Sequence, residues 1–154
     1  WLRAGFFHGS GDGDPLDGNH NTFFQILPTP RPFARTPFFN SMNNQDFFLM
    51  GILRPHRAVA VKSEAHFMWL ARREDLWYQG GGAFQPRSFG YIGRPASGFR
   101  GLANLYDVSA DWTPVPAATV SLYFGHVQGR DVIRAIYPSG THTTFGYVEL
   151  ILRF

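Results

Sequence analysis

Six stretches of this chain alternate apolar and polar side chains with a period of two, at residues 1 to 9, 45 to 55, 58 to 71, 101 to 113, 117 to 128 and 144 to 154. That is the period of a β-strand, whose successive side chains point to opposite faces of a sheet. In the third stretch Val59, Val61, Ala65, Phe67 and Trp69 share one face, and Lys62, Glu64, His66 and Met68 share the other. The fourth sets Tyr106, Val108, Ala110 and Trp112 against Leu105, Asp107, Ser109 and Asp111. The fifth sets Val120, Leu122 and Phe124 against Thr119, Ser121 and Tyr123. The sixth sets Val148, Leu150, Leu152 and Phe154 against Tyr147, Glu149 and Arg153.

Alternation alone also describes a soluble sandwich, with the apolar faces packed inward. The connections separate the two cases. Those around Pro55, His56 and Arg57, and around Pro114, Val115 and Pro116, are tight, because proline ends strand pairing. The other three, at 10–44, 72–100 and 129–143, are long. Short and long therefore alternate, and in a meander that puts every short turn at one end and every long loop at the other. A sandwich has no reason to keep this parity; an outer-membrane barrel, with short periplasmic turns and long extracellular loops, does. The expected fold is all-β: an antiparallel up-and-down transmembrane β-barrel, of which residues 1–154 supply six C-terminal strands of one larger domain whose N-terminal part lies upstream. The third stretch, about 45 Å long at roughly 3.3 Å per residue, rises about 35 Å at a tilt near 40°, more than an apolar band of about 25 Å. Trp69 and Trp112 fall where interfacial aromatic girdles are expected.

Composition agrees. Aromatic residues make up 17% of the chain and charged residues 16%, with 17 glycines and 11 prolines, a turn-rich all-β balance. Without cysteine there is no disulfide scaffold, thiolate metal site or cysteine nucleophile. No apolar stretch reaches the roughly 20 residues of a membrane helix. The net charge of +3 is scattered rather than gathered in runs, which argues against nucleic acid as a partner.

The last stretch, Phe145-Gly-Tyr-Val-Glu-Leu-Ile-Leu-Arg-Phe154, ends on an aromatic residue after alternating apolar positions. It resembles the C-terminal signal read by the barrel assembly machinery, with Leu150, Leu152 and Phe154 as its apolar positions. In the first long connection, Gly11-Asp-Gly-Asp-Pro15 leads to Asn21-Thr-Phe-Phe-Gln-Ile-Leu-Pro-Thr29. This run, followed by Phe38-Phe-Asn-Ser-Met-Asn-Asn-Gln-Asp46 and later by Asp75-Leu-Trp-Tyr78 and Gly80-Gly-Gly82, resembles the alginate export family of outer-membrane porins. The resemblance spans about residues 10 to 154. It implies a channel in the bacterial outer membrane for passive passage of hydrophilic solutes, including export of an alginate-like acidic polysaccharide, without catalysis or cofactor. The partners implied are outer-membrane lipid and lipopolysaccharide, the assembly machinery, and a hydrophilic or acidic saccharide.

Candidate pore-lining residues on the polar register are Arg3, Lys62, Glu64, His66, Asp107, Asp111, Glu149 and Arg153, since charged ladders along a lumen govern solute selectivity. Mixed signs equally suit cross-strand pairing that keeps the interior wet. Arginines of the long connections, Arg31, Arg35, Arg94, Arg130 and Arg134, are candidates for an inward constriction or for contact with anionic lipopolysaccharide. The first connection also carries Pro28, Pro30, Pro32, Phe33, Pro37, Phe38 and Phe39, too apolar for a fully solvated loop, and is expected to pack as a plug or lid. Asp12, Asp14 and Asp17 offer carboxylates for calcium, but an EF-hand needs an acid where Phe23 stands, so they read as a Gly/Asp turn. The six histidines show no metal-ligand spacing. Ser63, Glu64 and His66 make no triad, because Ser63 faces the opposite way. The alternatives are another outer-membrane barrel, either a gated receptor or a barrel enzyme, and a soluble all-β carbohydrate-binding module.

Overall fold

A computed structural model describes residues 1–14, 16–25, 35–36, 38–79 and 92–154. It is all-β apart from one short helix. Strands β1 (Leu2–His8), β2 (Asn44–His56), β3 (Val59–Leu70), β6 (Gly101–Val115), β7 (Ala118–Gly129) and β8 (His142–Leu152) form one sheet in the order β1-β2-β3-β6-β7-β8. Every neighbouring pair is antiparallel. β4 (Leu76–Tyr78) and β5 (Gly93–Pro95) make a separate two-stranded piece, and α1 spans Asp131–Ile136. The six expected strands match the sheet to within a few residues, and the three long connections lie at one end of it. The sheet is open, with β1 and β8 as its edges.

Both short turns sit one step later than the prolines suggest. The reversals fall at Arg57–Ala58 and Pro116–Ala117. Pro55 and Pro114 instead lie in register shifts, between Leu53 and His56 and between Trp112 and Val115. Proline has no N–H to give to a ladder, so it is accommodated where the ladder is already interrupted.

The two faces differ sharply. One, called inner here, is the face onto which the long connections pack. At the loop end Phe39, Trp77, Ala96, Val132 and Ile133 close over Met68, Leu70, Ala103, Leu105 and Val127, forming the main apolar cluster. Phe38 and Ile136 pack against its margin. α1 is too short to be stable alone; its buried Val132 and Ile133 hold it on the sheet, while its Arg134–Asp131 pair, 3.9 Å apart and well exposed, adds little. The outer face is apolar and bare. Leu2, Phe6, Phe47, Leu49, Tyr106, Val108, Trp112, Leu122, Phe124, Val148, Leu150 and Leu152 are all exposed on it and cross all but one of the six strands. On β3 the same face carries Val61, Ala65 and Phe67, partly covered by their neighbours. Soluble monomers rarely expose a contiguous apolar patch beyond a few hundred Å².

Candidate functional site

The inner face changes character along the strands. Below the apolar cluster it is polar, and cross-strand register brings the expected residues together. Glu64 lies opposite Asp107, Asp111 opposite Ser121, and Ser121 opposite Glu149. Lys62 Nζ meets Glu64 Oε2 at 2.7 Å along the same strand. Ser121 Oγ donates to Asp111 Oδ1 at 2.6 Å, and Arg153 donates to Thr119 Oγ1 at 3.3 Å. Arg3 sits over the Phe48 ring, 5.2 Å from its centroid. Arg3, Lys62, Glu64, His66, Asp107, Asp111, Glu149 and Arg153 thus share one face, as their period predicts.

Three inner-face residues were not singled out from the sequence. Asp46, 1% exposed, holds His66, also 1% exposed, through His66 Nδ1 and Asp46 Oδ2 at 2.7 Å. Tyr123 OH donates to Asp107 Oδ2 at 3.0 Å and lies 2.7 Å from Thr36 Oγ1 in the first connection. Tyr147 stacks on Tyr123 with centroids 5.1 Å apart. Asp46 had a signal: it is an acid in phase with Phe48 and Met50 on β2. Thr36 had none, because a loop residue meeting a wall leaves no periodicity.

The long-connection arginines divide. Arg35 lies over the Tyr123 ring at 5.9 Å and reaches Tyr147 OH at 3.5 Å, so the first connection does fold onto the inner face there. Gly125, next to Tyr123 on that face, leaves the room: a β-carbon there would strike Thr36 Oγ1 and come within 3.0 Å of Tyr123 OH. Arg130 precedes α1 and lies 5.9 Å over the ring of Trp69, an outer-face residue. Arg134 is exposed on α1 beside Asp131, and Arg94 is exposed on β5 opposite Trp77. Arg31 lies outside the described residues, as do Pro28, Pro30, Pro32, Phe33, Pro37 and Gly80–82. Of the two Trp residues expected at interfaces, Trp112 is exposed on the outer face and Trp69 is half-covered by Arg130.

The Gly/Asp run near residue 12 is a set of hydrogen-bonded turns. Asp12 accepts the N–H of Asp14 and of Asn21, Asp14 accepts that of Leu16, and Asp17 accepts that of Asn19. Among the described residues no group of three or more acids, histidines or cysteines is placed to hold a metal. Asp75 ties the connections together instead. Its Oδ2 accepts from the Asp12 N–H at 2.9 Å and from Thr22 Oγ1 at 2.5 Å, and its Oδ1 from the Tyr78 hydroxyl at 3.0 Å. Burial pushes the Tyr78 phenol up from 10 to about 12, and the neighbouring Asp75 carboxylate adds to this. A raised folded-state value means the neutral phenol stabilises this piece below pH 10, and that contribution is lost as pH rises through about 12. Amide exchange in the β4–β5 piece is therefore expected to accelerate between pH 10 and 12 beyond the base-catalysed rise of the strands. Tyr78→Phe should remove that excess.

The fold defines an all-β protein built on a six-stranded antiparallel meander. Compared with known protein families, curated proteins and solved structures, the chain matches none.

Proposed function

We propose that this chain forms part of the wall of a bacterial outer-membrane β-barrel that passes hydrophilic solutes passively. The observation that carries the reading is the contrast between faces. A bare apolar outer face crosses the sheet, while the inner face holds Asp46, Glu64, Asp107, Asp111, Lys62 and Arg153. Lipid suits the first and a water-filled lumen the second. Closing the barrel needs further strands between the edges β8 and β1, since eight is the practical minimum. A soluble carbohydrate-binding module would leave the apolar face in water.

In this reading Leu150 and Leu152 face lipid, and with Phe154 they would be read by the assembly machinery. Lipopolysaccharide would meet the outer rim, where Arg130 covers Trp69. The loop package narrows the lumen at the extracellular end, with Arg35 and Thr36 on the wall. Export of an acidic polysaccharide rests on the sequence resemblance to the alginate export family. The inner strand face carries Asp46, Glu64, Asp107, Asp111 and Glu149 against Arg3, Lys62 and Arg153, whereas a polyanion path calls for basic excess. No catalysis and no cofactor are proposed.

The full-length protein, reconstituted in planar bilayers, is expected to conduct ions and to migrate differently on gels before and after heating. A protein that partitions to the aqueous phase and adds no conductance would sink the reading. Conductance indifferent to mannuronate oligomers would remove the acidic polysaccharide while leaving the channel.

A further inference from the structure

At the loop end of the outer face the apolar registers give way to polar side chains, and two arginines meet there around one tryptophan. Trp69 on β3 lies opposite Gln45 on β2 and Gly101 on β6. Arg130 lies over the Trp69 ring, 5.9 Å from its centroid. Gly101 leaves the path for it, since a β-carbon there would stand 3.2 Å from Arg130 Nε and 3.4 Å from Cζ. Arg100 reaches across to β2: its Nε donates to the Leu70 carbonyl and its Nη2 to Gln45 Oε1, each at 3.0 Å. Gln45 is itself fixed by His8, 3.0 Å away.

Both guanidiniums keep charge and donors available. Among the described residues neither is in an ion pair. Arg100 is exposed, and its Nη1 is not used in the contacts above; Arg130 is half-buried and its side chain makes no hydrogen bond among the described residues. Asp131 is the acid beside them, its Oδ2 lying 3.2 Å from the same Gly101 point, and its ion pair is with Arg134 at 3.9 Å. Arg100, Arg130 and Arg134 thus stand against one carboxylate. Immediately toward the middle of the sheet the surface is aromatic. Phe47 stacks on Phe67 with centroids 6.4 Å apart, and Tyr106 meets Phe67 edge-on at 6.3 Å. Phe47 and Tyr106 are exposed.

A ligand that complements this surface carries an anion at one end and hydrocarbon at the other. Guanidinium groups hold phosphate oxygens with paired N–H donors, and two of them suit a doubly charged phosphate monoester better than a singly charged diester. Free phosphate would leave the aromatic surface uncovered. We propose that Arg100 and Arg130 clamp the phosphate monoester of a lipid of the lipid A kind, whose acyl chains lie over Phe47, Phe67 and Tyr106. The proposal rests on reading the outer face as lipid-facing, and it turns a general contact with lipopolysaccharide into one defined phosphate site.

The test is native mass spectrometry of the full-length protein in detergent micelles, titrated with diphosphoryl lipid A, phosphatidylglycerol and sodium phosphate. Lipid A should bind saturably and at least about tenfold tighter than phosphatidylglycerol, the worth of one charge-assisted hydrogen bond. Arg100→Gln and Arg130→Gln should each weaken lipid A by about tenfold. Arg54→Gln, which removes an exposed arginine at the turn end of β2, should leave it unchanged. Arg100→Gln also loses bonds within the protein; Arg130→Gln loses none among the described residues and keeps the test independent of folding. Phosphatidylglycerol or inorganic phosphate binding as tightly as lipid A would overturn the proposal. So would lipid A binding that both rim variants leave intact, or that Arg54→Gln weakens equally. Bilayer conductance is read separately. Conductance without arginine-dependent lipid A binding removes the clamp and keeps the channel; such binding without conductance keeps the clamp and removes the channel.

Discussion

Leu122→Arg, on the outer face of β7, is expected to destabilise the protein folded in lipid vesicles by about 2–4 kcal/mol, the cost of a guanidinium held near the middle of a bilayer. Leu122 is 50% exposed, between Ala110 on β6 and Val148 on β8, so a longer side chain has room to project outward with little loss of packing. Most of the penalty would come from the surrounding medium. Thr144→Arg, on the same face near the loop end, should cost only about 0–1 kcal/mol, as charges do near a membrane interface. Urea titration of both variants in vesicles measures the difference. If Leu122→Arg fell within about 0.5 kcal/mol of the parent, as ordinary surface substitutions do, the face would not be meeting lipid.

Asn43→Ala should cost about 2–4 kcal/mol, concentrated in the connections rather than in the sheet. Asn43 is fully buried with φ 48°, a left-handed conformation that asparagine tolerates far better than alanine. Its Oδ1 accepts the Arg72 N–H at 2.8 Å, and its Nδ2 donates to the carbonyls of Arg72 and Leu76, each at 2.9 Å. One side chain thereby splices the first long connection to the second, and its loss deprives three partly buried backbone groups of this partner at about 1 kcal/mol each. Limited proteolysis should cut the variant within 9–43 and 71–100 while the strands stay protected. Asn43→Gly separates the causes, since glycine restores the backbone conformation without the hydrogen bonds. Full recovery by glycine would mean that the splice contributes nothing.

The sheet was legible because β3, β6, β7 and β8 set a mostly apolar outward register against a more polar inward one over many residues, so a one-residue error in phase would invert the whole strand. The connections were less legible, for physical reasons specific to each. α1 has six residues, and its apolar Val132 and Ile133 are too few to establish a helical period. β4 and β5 have three residues each and gain their pairing only when Trp77 packs into the apolar cluster. The arginine candidates rested on position in a connection, which says nothing about direction. Arg35 lies on the wall, whereas Arg130, just before α1, lies over the outer-face ring of Trp69. Inner-face charges were found by phase, but the Asp46–His66 pair joins residues on two strands, and only register brings them to 2.7 Å.

Strand order in the main sheet follows chain order without a crossover. Chain entropy then ranks the pairings by what each must enclose. The β2–β3 and β6–β7 pairings close two-residue turns and come first, on the microsecond scale of a hairpin. β1 and β8, and the join between the two hairpins, must wait for the long connections, whose closure cost rises only slowly with length. The chain is thus organised as two hairpins that need only short closures, and the Asp46–His66 contact lies within the first of them, independent of either edge strand.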